Sequence, residues 1–326
     1  MNMKDLIHDF PKQLEEGIAI SNTYKAVIDS PVDNIVICGL GGSGIGGEII
    51  KECLRPHLNV PVEVCHSYSL PEYVNHKTLV IACSYSGNTE ETLNALEEAI
   101  ERKANIIGIT SGGAVKSILT NQGSHVITVP GGLPPRAALA YPLVQLFEVF
   151  VQNNFVKNDL KTQVVAAISF LYQEQSGIIQ LASEIMDFSD DNKLLFYGED
   201  KFRPVMLRAC QQINENSKEL AFYNVVPEMN HNEIVGWAEK PKNISVVMLR
   251  SNLEYARNSK RLDITHEIIL RKNAVLEINA KGENFIEQAF YLIHLLDWLS
   301  LLKAEKKSID VIEVDVIDYL KNELSK

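Results

Sequence analysis

The sequence predicts an α/β protein of two domains, each a mainly parallel, doubly wound sheet sandwiched between helices. Three observations predict it. At 326 residues the chain is long for one domain and sufficient for two of about 150, each able to bury its own core. Residues 31 to 150 alternate short apolar runs with helical patterns, which is how a parallel sheet with crossover helices reads. After a polar stretch the same alternation returns in a looser form.

Taken in order, residues 3–28 read as a lead-in helix. Five strands follow as NIVICG, PVEVCH, TLVIACS, NIIGIT and HVITVP, separated by helical segments such as ETLNALEEAIERK. A helix over Arg136 to Val151 ends the first domain. The segment QNNFVKNDL, residues 152 to 160, is polar and aperiodic, so the division falls there, giving domains 1–152 and 153–326. In the second domain a long helical pattern, Leu160 to Asp187, leads into the strand KLLFYG and a helix from Phe202 to about Ser217. The strand ISVVML, a helix near Tyr255 to Leu270 and the strand AVLEIN come next. Helices near Asn284 to Ala304 and Val311 to Leu324 close the chain. Ligands of open parallel sheets bind at the carboxyl ends of the strands, so chemistry is sought there.

Composition removes several function classes. A net charge of −11 and a pI near 5.3 exclude nucleic acid as a main partner, because phosphate backbones need clustered Lys and Arg. A small anion needs only a local nest of donors and stays open. The N-terminus MNMKDLIHDF has acidic residues and no apolar run, so it reads as neither a signal nor a transit peptide, and a cytoplasmic location is expected. AFYLIHLLDWLSLL, from Ala289, is broken by His294 and Asp297 and falls short of the roughly 20 residues of a membrane span, so it reads as a core helix and no membrane partner is expected. Five widely spaced cysteines, with no C-x-x-C pair, read as reduced, mostly buried thiols. No H-E-x-x-H or other ligand-spaced cluster exists among the eight histidines, so no metal and no cofactor is expected.

Two motifs carry chemistry. GLGGSGIGGEII follows the first strand, and Gly39, Gly41 and Gly44 satisfy G-x-G-x-x-G. A nicotinamide site would also need an acid at the end of the second strand, where Cys65, His66 and Ser67 stand instead. The turn still offers backbone N–H groups at Gly42 and the Ser43 hydroxyl, or it serves only helix–sheet packing. The second motif is TLVIACSYSGNTEETLNAL, which sets Ser84, Ser86 and Thr89 at the start of a helix. Free N–H groups, the helix dipole and three hydroxyls suit a phosphate monoester. The competing reading is ordinary capping, since Asn88-x-x-Glu91 is an acceptable capping box.

SYSGNTEET resembles the phosphate loop of the sugar isomerase (SIS) domain family, and GLGGSGIGG resembles that family's first sugar-contacting turn. PGGLPPRAALAYPL, NENSKELAF and PEMNHNEIVGW narrow the resemblance to the bifunctional phosphoglucose/phosphomannose isomerases over almost the whole chain. That resemblance implies two SIS-type αβα domains and a metal-free cis-enediol interconversion of glucose 6-phosphate, and mannose 6-phosphate, with fructose 6-phosphate. It also implies a sugar 6-phosphate as substrate and a homodimer in which His231 is contributed across the interface.

The resemblance assigns roles one residue at a time. Glu215 matches the base that moves a proton between C1 and C2. Periodicity alone reads it otherwise: Phe202, Met206, Ala209 and Ile213 share one helix face, and Glu215 lies on the polar face with Arg208 and Gln211. Arg136 matches the cation facing the enediolate; it opens a helix, where the dipole disfavours a cation, so it needs another partner or is a surface arginine. His231 matches the ring-opening histidine, and Lys321 its partner, with Lys303 as rival. Were Glu215 not the base, Glu228 and Glu233 beside His231 would be the first to examine. Two other classes remain: a non-catalytic SIS-type sugar-phosphate-binding regulator, and a nucleotide-dependent oxidoreductase built on Gly39 to Gly44.

Overall fold

A computed structural model describes residues 2–157, 160–324 and 326. The five apolar runs of the first half become β1 (Asn34–Cys38), β2 (Val62–Cys65), β3 (Thr78–Cys83), β4 (Asn105–Thr110) and β5 (His125–Thr128). They pair in parallel in the order β2-β1-β3-β4-β5. Every residue of β3 is buried and four of five in β1, as central strands covered on both faces require. The second half builds β6 (Lys193–Glu199), β7 (Phe222–Val226), β8 (Ile244–Arg250) and β9 (Val275–Asn279), again all parallel, in the order β7-β6-β8-β9. Each sheet thus reverses direction once, between β1 and β3 and between β6 and β8, and these switch points are where ligands bind in open α/β sheets.

Helices α3 (Gly41–Leu54), α4 (Glu90–Glu101), α5 (Gly113–Asn121) and α6 (Ala140–Gln152) surround the first sheet, with α1 (Met3–His8) and α2 (Phe10–Ser21) ahead of it. Helices α7 (Leu160–Ser189), α8 (Arg203–Ser217), α9 (Ala256–Leu270), α10 (Phe285–Lys306) and α11 (Asp315–Leu324) follow. Two compact units result: His8–Gln173 with Gly282–Phe290, and Met1–Ile7 with Glu174–Lys281 and Tyr291–Lys326. All strands of the first sheet precede residue 152 and all strands of the second follow it, whereas residues 282–290 pack with the first unit.

Several expectations are corrected. The lead-in helix is two helices, because Pro11, in the first turn of α2, has no N–H to continue a preceding helix, and the chain leaves helix after Ser21. The helix expected from Arg136 starts at Ala140; Pro135–Ala137 is a separate 3-10 turn. Strand β7 was not expected, since FYNVV is a short edge strand with only two buried residues and no turn signal ahead of it. The apolar stretch around His294 extends to a 22-residue helix, α10, long enough to cross a membrane by length and composition, but 89% of its apolar window is buried inside the protein. All five cysteines are free and buried.

Candidate active site

In the first unit, the glycine turn after β1 and the hydroxyl turn after β3 flank the switch point. They are tied directly: the Tyr85 N–H donates to Ser43 Oγ at 3.1 Å, and Ser43 is buried. Within the second turn Ser84 Oγ and Thr89 Oγ1 share a hydrogen bond of 2.9 Å, and Ser84 Oγ accepts the Gly87 N–H at 3.1 Å. Ser86 Oγ accepts the Asn88 N–H at 3.2 Å. Gly87 has φ +72°, and a Cβ there would strike the Gly112 carbonyl, so only glycine lets the turn close. The capping-box reading fails: the Asn88 carboxamide accepts the Ala114 N–H at 2.9 Å, and Thr89, the residue before α4, makes no side-chain cap bond. The start of α4 therefore presents backbone N–H groups and hydroxyls together, which suits an anion.

The same unit brings Arg136 to this corner. A Cβ on Gly42 would lie 2.8 Å from the Pro135 carbonyl oxygen, so the 3-10 turn carrying Arg136 rests against the glycine turn. Tyr85 fastens the loop leading to it, its hydroxyl donating to the Pro130 carbonyl at 2.8 Å and accepting the Leu133 N–H at 3.2 Å. Arg136 is buried, not the surface arginine that one reading of its position expected. His66 stands where a dinucleotide site would want an acid. Its Nδ1 lies 2.9 Å from the Gly39 carbonyl and its Nε2 3.1 Å from Glu48 Oε1, and the Glu48 carboxylate raises its pKa above the ordinary imidazole value. The second-strand end thus braces the glycine turn.

In the second unit, Glu215 lies in the last turn of α8, part-buried, on a cavity of about 490 Å³ lined also by Asn214, Lys218, Leu220, Val314 and Ile317. Lys218, in the left-handed conformation at φ +54°, ends α8 and donates from Nζ to the Glu215, Asp310 and Glu313 carbonyls at 2.7, 3.1 and 2.6 Å. That clamp fixes the segment entering α11 beside Glu215. The polar face read for α8 is partly wrong: Arg208 is buried and pairs with Asp297 of α10 at 2.6 Å. Burial raises the Asp297 pKa, and the Arg208 charge opposes it.

His231 is exposed at the end of the 3-10 turn Glu228–His231. Lys321 is exposed on α11, none of whose residues is buried. Lys303, the rival, is buried, with Nζ 3.4 Å from Glu219 Oε2 and 3.2 Å from Ser189 Oγ, and desolvation lowers its pKa. It is a core lysine. Glu233 is likewise engaged, accepting Tyr197 OH at 2.5 Å and Asn224 Nδ2 at 2.5 Å.

The switch point of the second sheet is filled by the protein itself. Glu199, buried at the end of β6, accepts the Tyr255 N–H at 2.9 Å and Asn258 Nδ2 at 3.0 Å at the start of α9, and Lys201 lies 2.9 Å from its other oxygen. Helix α9 follows β8 as α4 follows β3, so a carboxylate occupies the position that the first unit leaves to hydroxyls.

Comparison with known proteins places the two halves in two related family models. Residues 30–143 match the SIS domain model, and residues 175–324 match the bacterial phospho-glucose isomerase C-terminal SIS domain. A bifunctional phosphoglucose/phosphomannose isomerase of Caldicellulosiruptor bescii is 37% identical, with 99% of each chain covered. The chain belongs to the bifunctional phosphoglucose/phosphomannose isomerase family. Another member, from Thermoplasma volcanium, is 35% identical over 96% of this chain and 97% of its own. Among solved structures, the C-terminal domain of glucosamine-fructose-6-phosphate aminotransferase from Francisella tularensis superposes with a TM-score of 0.72 at 16% identity, covering 95% and 96% of the two chains, and so shares the fold. By unit, the candidates divide into Gly42, Ser43, Ser84, Ser86, Thr89 and Arg136 in the first, and Glu215, His231 and Lys321 in the second, where neither His231 nor Lys321 lines the cavity that holds Glu215. Sequence reasoning missed Tyr85, His66 and Glu199 as braces; Tyr85 was visible only as a member of the second motif, and His66 only as a residue at the end of the second strand where an acid was missing. Among the described residues, no group of three or more His, Cys, Asp or Glu side chains could hold a metal ion.

Proposed function

We propose that this chain interconverts glucose 6-phosphate and mannose 6-phosphate with fructose 6-phosphate through a cis-enediol, without metal or cofactor. The observation that carries the proposal is the uncapped, hydroxyl-lined start of α4, joined through Ser43 and Gly42 to a buried arginine. Ser84, Ser86 and Thr89 hold the phosphate with the first-turn N–H groups of α4; Gly42 and Ser43 contact the sugar. Arg136 stabilises the enediolate oxygen as charge develops. His231 and Lys321 exchange the proton that opens the ring, His231 reaching the site of a second copy in a homodimer. Glu215 then takes the proton from C2 of the open aldose and returns it to C1. Membership of the family supports the reaction, and burial of Lys303 supports Lys321 as the ring-opening lysine. On this reading the enzyme is cytoplasmic and without nucleic-acid or membrane partners; a net charge of −11 speaks against a nucleic-acid backbone as ligand.

A coupled assay of purified protein with each aldose phosphate, with and without EDTA, tests the reading. Turnover should be the same with the chelator and without nicotinamide; loss on chelation that zinc restores would overturn the metal-free mechanism.

A further inference from the structure

His231 is exposed, yet the chain on both sides of it is tied into the second unit's core. Upstream, Met229 is fully buried, and Asn230 Nδ2 donates to Thr265 Oγ1 of α9 at 2.9 Å while its Oδ1 accepts from Arg261 at 3.4 Å. Downstream, Asn232 caps the next 3-10 turn, its Oδ1 accepting the Glu233 N–H at 2.6 Å and its Nδ2 donating to Glu228 at 3.0 Å. Glu233 makes the deepest attachment. One carboxylate oxygen accepts Tyr197 OH from β6 and the other accepts Asn224 Nδ2 from β7, both at 2.5 Å. Trp237 closes the network, donating from Nε1 to Tyr197 OH at 3.1 Å with its ring edge-on to Tyr197 at 6.4 Å. Tyr197 is fully buried and Trp237 nearly so.

A loop that had only to cross the surface would not need a carboxylate with both oxygens engaged by two strands and a buried phenol. Part-buried charge-assisted hydrogen bonds of this kind, anchored on a fully buried phenol, are costly to break and set geometry. We propose that Glu233, through Tyr197 and Asn224, is a positioning residue that fixes the backbone of His231 for proton transfer to the ring oxygen. The inference rests on the reading of His231 as the ring-opening group. Glu233 does not touch the substrate; it sets where the imidazole stands, two residues upstream.

The test is steady-state kinetics of Tyr197→Phe, Glu233→Gln, the double variant and His231→Ala on two substrates. One is glucose 6-phosphate. The other is a four-carbon aldose 4-phosphate, whose phosphorylated terminal oxygen leaves it no ring to open, followed by solvent exchange of its C2 proton. Both single variants should lose about 10- to 100-fold in kcat on glucose 6-phosphate, the effect of misplacing a reacting group by about 1 Å. KM should stay within about two-fold, and exchange on the four-carbon substrate should stay near wild type. The double variant should be no worse than the more damaged single, since both break one network. Unchanged turnover, or equal losses on both substrates, would overturn the inference. Should His231→Ala itself fail to discriminate the two substrates, the reading of His231 is wrong and the role of Glu233 falls with it. Discrimination by His231→Ala but not by the network variants would overturn the positioning role alone.

Discussion

Glu215 is a carboxylate in the last turn of α8, where the helix dipole disfavours negative charge, and Lys218 rather than Glu215 answers the helix's terminal carbonyl groups. A charge held against the dipole on the wall of a cavity is the kind of placement that function, not stability, retains. Glu215→Gln keeps the shape and removes the proton acceptor, so the chemical step should slow about 10²- to 10⁴-fold with affinity for sugar phosphate barely changed. Stopped-flow or steady-state kinetics reads the rate, and near wild-type turnover would make Glu215 a surface glutamate. Helical periodicity alone reads it that way, and the reason is instructive. Periodicity sorts side chains by polarity, so it put Arg208 with Glu215 on a wet face; a buried partner, Asp297 on a helix 89 residues later, is invisible to it. Arg136 shows the same limit, because burial of a cation depends on contacts that the turn's sequence does not name.

At the scale of elements, the glycine turn is braced by a histidine whose ring nitrogens both face acceptors, Gly39 O and Glu48. Its folded pKa is raised, chiefly by the hydrogen bond to Glu48, so it binds its proton more tightly folded than unfolded. The stabilisation it gives is therefore fully present below its unfolded value near 6.5 and is lost as pH rises through the raised folded value. Thermal unfolding of the wild type should show this loss above about pH 6.5, and His66→Gln should lack that component; an identical pH dependence in the two would refute it. The paired switch points make a second prediction. Because Glu199 already fills the start of α9, titration of the protein with inorganic phosphate should find one anion per chain, bound at Ser84, Ser86 and Thr89. Calorimetry reporting two equivalent anions, or a structure soaked in sugar phosphate with the Ser84 turn empty, would contradict it. The two turns were legible because each needs glycine or hydroxyls at fixed places after a strand. Glu199 was not, since nothing in LLFYGED marks the glutamate as an internal anion.

For the whole molecule, two αβα units of parallel sheet were readable from apolar runs spaced by helical patterns, and the boundaries moved where proline intervened, at Pro11 and Pro135. That the two units exchange chain segments was not readable, because α7 and α10 are each continuous helices whose two ends belong to different units, and periodicity does not change where the partner does. The chemistry at all three scales is one event: a proton, not a hydride, moves between C1 and C2 of a sugar 6-phosphate. The most direct measurement is conversion of glucose 6-phosphate and of mannose 6-phosphate in D₂O by the purified protein, with the product examined by NMR. Fructose 6-phosphate is expected from both aldoses, with deuterium at C1 in the share of turnovers in which the Glu215 carboxyl exchanges with solvent before returning its proton, and with no dependence on added metal. No ketose from either aldose, or ketose formed only with added metal or nicotinamide, would contradict it.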